Sequence, residues 1–246
     1  MVTPDSFQFI LFTVSAFAAS VAALSGFGIG SLLTPLLSTQ IDLKLAVAAI
    51  SVPHLVATSL RFWMLRKNIN RQVFIRFGSF SALGGLLGAA FHAKVNSPPL
   101  IYLFAFLLIY VGLTGLFGWL QKFRINNSWS WFAGLCSGGL GGLVGNQGGI
   151  RSAALLGMNL SKDEMVATAT AIGVVVDLAR MPVYFATEGP DLINVWPLIA
   201  IATAGCVVGT LAGKKLLSRL SEKQFRLIVF SLILILGAYM STQANS

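Results

Sequence analysis

The sequence predicts an all-α, polytopic membrane protein built as two inverted repeats, each a broken-helix hairpin plus three transmembrane helices, with about 8 long helices and 2 half-helices in all. Three observations predict it: a composition too apolar for a water-exposed exterior, long apolar runs separated by short loops of uneven charge, and a glycine-rich interruption that occurs twice at a fixed distance. Of 246 residues, 56% are hydrophobic and 10% charged, and the mean hydropathy is +0.81. A soluble domain carries roughly 25% charged residues. Lipid must therefore be part of the solvent.

The net charge of +9 raises nucleic-acid binding as a rival. Nucleic-acid binders gather Lys and Arg on one folded face. Here the cations sit in loops between apolar runs, where cytoplasmic charge lies in membrane proteins, so no nucleic-acid partner is expected. Cys136 and Cys206 both fall inside apolar segments and read as small packing residues. Nothing in the pattern calls for a metal or a cofactor. The first residues, Met1 to Asp5, lack a positive n-region, and the first helix reads as retained.

Spanning segments are expected near 7–24, 45–64, 73–92, 100–120, 129–145, 165–186, 192–212 and 226–241. Two further apolar stretches, near 31–39 and 150–158, are too short to span; at ~1.5 Å per residue each covers half the hydrocarbon core. Each follows a break: Gly26-Phe27-Gly28-Ile29-Gly30 and Gly145-Asn146-Gln147-Gly148-Gly149. A shift of 119 residues places Gly26 on Gly145, Gly30 on Gly149, Val47 on Val166, Ala48 on Ala167 and Arg61 on Arg180 without a gap. With small gaps, Gly84 falls on Gly205, Gly88 on Gly209 and Gly112 on Gly237. The expected units are 1–124 and 125–246, two repeats of one integrated transport domain.

Loop charge sets the orientation. The segment near 66–76 carries Arg66, Lys67, Arg71 and Arg76; that near 121–128 carries Lys122 and Arg124; that near 213–226 carries Lys214, Lys215, Arg219, Lys223 and Arg226 against Glu222. These three are expected in the cytoplasm. The loop near 93–99, with Lys94, and a loop near 187–191, with Glu188 and Asp191, are expected outside. One helix, 165–186, then separates a cytoplasmic loop from an outside one, so 129–158 must enter and return as a hairpin. The same logic makes 7–39 a hairpin from the other side, and the second half lies upside down relative to the first. Both termini are expected in the periplasm.

A half-helix that starts inside the membrane leaves its first N–H groups unpaired, at the positive end of its dipole. An anion is the natural acceptor. The candidate binding residues are therefore Gly28, Ile29, Gly30 and Ser31 in one tip, and Asn146, Gln147, Gly148, Gly149 and Arg151 in the other. Arg151 adds a planar fork suited to oxyanions; snorkelling to an interface is its alternative. The pairs Gly84/Gly88 and Gly205/Gly209 read instead as close helix packing. His54, Thr58 and Arg61 share one helix face, and their counterparts Gly173, Asp177 and Arg180 repeat the spacing. They form either a gate or proton-coupling group or a structural ion pair. No HExxH, GxSxG or Gly-Lys-Ser/Thr loop occurs, which argues against an enzyme. Opposed half-helices favour a carrier over a channel.

In this order of elements the chain resembles the TauE/SafE sulfite exporter family. The first copy reads SGFGIGSLLTPLLSTQIDLKLAVAAISV from Ser25 to Val52, and the second reads GLVGNQGGIRSAALLGMNLSKDEMVATATAI from Gly142 to Ile172. Gly28, Gly30 and Pro35 match the family's pattern of a glycine run followed by proline. The second copy departs from it, with Asn146-Gln147 among the glycines and Ala154 in place of proline. The resemblance implies transport of sulfite, organosulfonates or similar small anions across a bacterial cytoplasmic membrane, most simply as export. Proton-coupled uptake of a sulfonate or carboxylate, or an anion channel, is the alternative. The implied partners are a small anionic substrate and membrane lipid, with a homo-oligomer left open.

Overall fold

A computed structural model describes residues 4–26, 28–118, 129–146, 148–156, 158, 160–217 and 221–243. Its described residues form helices: α1 (Pro4–Ser25), α2 (Ile29–Leu37), α3 (Leu43–Leu65), α4 (Arg71–Val73), α5 (Ser79–Lys94), α6 (Ser97–Leu116), α7 (Ser130–Val144), α8 (Gly148–Leu156), α9 (Lys162–Asn194), α10 (Trp196–Leu217) and α11 (Glu222–Gln243). A π turn, Phe74–Gly78, joins α4 to α5 into one helical stretch. Seven described stretches are long and apolar enough to cross a membrane, and α7 is a shorter apolar helix. This is a multi-pass membrane protein. The short helices α2 and α8 have nine residues each and span about 14 Å, half the hydrocarbon core.

Sequence signals place the helix ends. Asp42 caps α3 by accepting from the Lys44 N–H at 2.9 Å. Ser161 and Glu164 form a reciprocal capping box at the start of α9. The half-helices begin two residues earlier than expected, so Arg151 is the fourth residue of α8. The expected loop near 187–191 does not exist: α9 runs through Gly189 and Pro190 to Asn194, and the chain turns at Val195. Proline inside a helix frees the carbonyl four residues back, here that of Ala186. Ala186 and Pro190 are both exposed, so that carbonyl is open to water or headgroups.

The long helices pair crosswise. The most extensive contacts are α1 along α10, α5 along α7, and α6 along α11, with α3 against α9 at the centre. Each early helix thus finds its partner in the late half. At one end of the α3/α9 pair, Lys44 Nζ lies 4.0 Å from Glu188 Oε1. At the other, the Asn70 N–H donates to Thr168 Oγ1 at 3.0 Å. The counterparts α3 and α9 therefore run in opposite directions, as inverted repeats require.

Glycines make the crosswise pairs close. A Cβ on Gly84 would strike the Leu135 carbonyl, one on Gly88 the Gly139 carbonyl, and one on Gly209 the Ala16 carbonyl. The same contacts correct the register of the repeat. Gly84 faces Leu135, and the residue that faces the counterpart of Leu135, Ala16, is Gly209; likewise Gly88 faces Gly139 and Gly213 faces Ser20. Gly84 therefore corresponds to Gly209 and Gly88 to Gly213, one helical turn beyond the sequence alignment. Gly112 still matches Gly237, since each packs on the other's helix near Leu234 and Ile109. The extra chain lies in the extended end of α9. Glycines spaced by four residues align equally well one turn out of step, which hid it.

Candidate functional site

The two breaks meet inside the fold. Gly26 (φ 77°) and Gly145 (φ 75°) end α1 and α7 in the left-handed region, and Gly28 (φ 130°) opens α2. Only glycine adopts these readily. A Cβ on Gly30 would collide with the Gly145 carbonyl oxygen. Ser31 Oγ donates to Asn146 Oδ1 at 3.2 Å, joining the first tip to the second. Gly149 lies so near α6 that a Cβ would stand 2.6 Å from a Val111 methyl. Gly28, Ile29, Gly30, Ser31, Asn146, Gly148, Gly149 and Arg151 are all buried. Gln147 lies outside the described residues. The N-cap of α2, Gly28, has no side chain to cap it, so the first N–H groups keep their partial positive charge.

Arg151 does not snorkel. It is 1% exposed, and its Nη2 donates to the Gly26 carbonyl at 3.1 Å, from the second tip back to the first. Among the described residues its Nε and Nη1 have no partner, nor does Asn146 Nδ2. Buried donors without partners are rare in folded proteins. These three lie together where the two tips meet.

The second constellation sits beside this one. His54 Nδ1 and Asp177 Oδ2 are 2.6 Å apart. Arg180 donates to Asp177 Oδ1 through Nε at 3.1 Å and stands 2.9 Å away through Nη2. The Thr58 hydroxyl lies 2.6 Å from the His54 carbonyl and 3.3 Å from Asp177 Oδ2. His54, Thr58, Asp177 and Arg180 therefore form one ionic cluster linking α3 to α9. Arg61, one turn along α3, is 3% exposed, and its Nε and Nη1 have no partner among the described residues. Gly173 joins the two constellations: a Cβ there would stand 3.3 Å from Arg151 Nη1 and 3.6 Å from the Thr58 methyl.

Of the three residues that close the end of α7, sequence reasoning missed two, Tyr184 and His92. A helix leaves its last four carbonyls unpaired, and α7 ends in the interior. Arg180 Nη1 donates to the Gly141 carbonyl and the Tyr184 hydroxyl to that of Gly142, both at 2.5 Å; His92 Nδ1 lies 2.7 Å from that of Leu143. The rings of His92 and Tyr184 meet edge to face with centroids 5.2 Å apart. The available signal was Tyr184, one turn after Arg180 on the same face, together with the demand of a buried helix end for donors.

No curated protein and no solved structure gives a significant match to this sequence. The family model described as "Sulfite exporter TauE/SafE" matches residues 11–240, nearly the whole chain and both copies of the broken-helix motif. The chain belongs to the TauE/SafE sulfite exporter family of membrane transporters.

Proposed function

We propose that this protein is a secondary transporter that exports a small anion, sulfite or an organosulfonate, across the bacterial cytoplasmic membrane, binding it where the two half-helix tips meet. One observation carries the reading: two interrupted helices start at a shared buried point, and beside it Asn146 Nδ2 and Arg151 Nε and Nη1 have no acceptor among the described residues. A negative solute with several oxygens satisfies them and lies on the positive ends of α2 and α8. The units are 1–124 and 125–246, one inverted repeat each.

Charge supports the orientation. Lys44, Ala93 and Glu188 gather at one end of the molecule, where the Lys44 ammonium donates to the Ala93 carbonyl at 3.3 Å. The basic segment from Arg66 to Arg71 lies at the other, against Thr168. The basic end faces the cytoplasm, which puts both termini in the periplasm. Moving one negative charge out of a negative-inside cell releases ~2.3 kcal/mol per 100 mV, so export can run as facilitated diffusion.

The contact of His54 with Asp177 favours a second reading, proton-coupled uptake, in which that pair would carry the coupling proton. The first reading is tested in proteoliposomes. Arg151→Ala is expected to abolish saturable sulfite flux while inserting normally. Wild-type flux in that variant would remove Arg151 from the binding centre.

A further inference from the structure

The interior holds more positive than negative charge. Arg61, Arg151 and Arg180 are each no more than 3% exposed, and among the described residues Asp177 is the buried carboxylate set against them. Arg180 is paired with Asp177 through two nitrogens and with the Gly141 carbonyl through the third. The other oxygen of Asp177 faces His54 and Thr58. Two guanidiniums are left over. Among the described residues Arg151 has a single acceptor, the Gly26 carbonyl, and Arg61 keeps Nε and Nη1 free of any. His54 is neutral or positive and compensates neither. The excess is at least two positive charges in one neighbourhood: Arg61 lies one turn beyond Thr58 on α3, Thr58 meets Asp177 Oδ2 at 3.3 Å, and Gly173 stands between the Thr58 methyl and Arg151 Nη1.

The repeat explains how the excess arises. Arg61 is the counterpart of Arg180, but Thr58 stands where the second copy has Asp177. The first copy keeps the buried arginine and lacks its acid. Isolated charge in a low-dielectric interior is strongly unfavourable unless a counter-charge joins it. Each guanidinium presents a planar fork that takes two oxygens.

We infer, resting on the anion-carrier reading above, that the cargo is a dianion held between Arg151 and Arg61, and that Arg61 sets this charge preference. A dianion makes the cluster electroneutral; a monoanion or a zwitterion such as taurine leaves a buried positive charge behind. Arg61 is thus a ligand and specificity residue as well as a neighbour of the ionic cluster.

Probes of permanent charge test this in the wild-type protein at constant ionic strength. Thermal stabilisation in detergent and competition against flux in proteoliposomes are measured for 1,2-ethanedisulfonate against ethanesulfonate, and for thiosulfate against methanesulfonate. Each dianion is expected to act at a concentration about tenfold or more below its monoanionic partner. In Arg61→Gln that ratio is expected to collapse towards one, through loss of the dianion's advantage. Equal action of the two charge classes on wild-type protein overturns the inference and leaves the anion site standing. A wild-type ratio unchanged in Arg61→Gln overturns the role of Arg61. If no anion stabilises the wild type and Arg151→Ala transports normally, the anion-carrier reading falls as well.

Discussion

Asp177 holds together groups that otherwise repel. Its two oxygens face Arg180, His54 and Thr58 while it is 0% exposed. Removing one partner of a buried ion pair leaves an uncompensated charge and costs about 3–5 kcal/mol. Asp177→Asn is expected to lose stability on that scale, measured by thermal unfolding of the purified protein. Protein that survives is expected to keep the wild-type response to an imposed proton gradient, because export by diffusion has no coupling proton. A gradient response present in wild type and lost in Asp177→Asn would establish proton-coupled uptake instead. At this scale the sequence was partly legible. The shared spacing of His54, Thr58 and Arg61 with Gly173, Asp177 and Arg180 put each set on one face of its own helix and marked the two sets as counterparts. The bond from Arg151 to the Gly26 carbonyl was not legible, because it depends on how closely the tips approach. Tyr184 and His92 were hidden for a similar reason: their acceptors are backbone carbonyls, which carry no sequence signature.

Glycine divides the helices into faces that tolerate a side chain and faces that do not. In the membrane, helices associate through close packing of small residues rather than through water release. The α5/α7 interface shows how tight this becomes: Gly84 and Gly88 meet backbone of α7, while Gly138 and Gly142 meet backbone of α5. Gly88→Ala is therefore expected to destabilise by about 1–3 kcal/mol, the usual cost of overpacking. Gly189 is the contrasting case, a helical glycine with nothing within 4 Å of an added Cβ. Gly189→Ala should be neutral or stabilising by up to about 1 kcal/mol, because alanine has less unfolded-state freedom to lose. Thermal melts of the two variants check both. If both destabilise alike, helix spacing in the protein is looser than these contacts imply. The half-helices were legible to within two residues, since glycine clusters mark a break by backbone freedom alone. The end of α9 was not, since Gly189-Pro190 has the signature of a loop and continues as helix only because its displaced carbonyl is exposed.

The whole molecule is a pair of halves that complete one another. Because α1 lies along α10 and α5 along α7, each half contributes one helix to each outer pair, and the central α3/α9 pair takes one from each. The inverted relation was readable from loop charge, because charge follows membrane side rather than repeat position. Crosswise pairing was not, because apolar runs do not say which neighbour they choose. It has a direct consequence. A half made alone would expose to lipid the glycine faces of α1 and α5 and the buried Arg61 on α3, and neither is stable there. Segments 1–124 and 125–246, expressed separately, are therefore expected to be degraded or to aggregate. Expressed together, they are expected to assemble into a complex that purifies through a tag on either half and restores anion flux. Independent folding of either half, seen as a monodisperse, thermally cooperative species in detergent, would mean that the repeats are autonomous domains. In that case the two half-helix tips would belong to separable units, and their meeting at Ser31 and Asn146 would be a docking contact rather than a consequence of the fold.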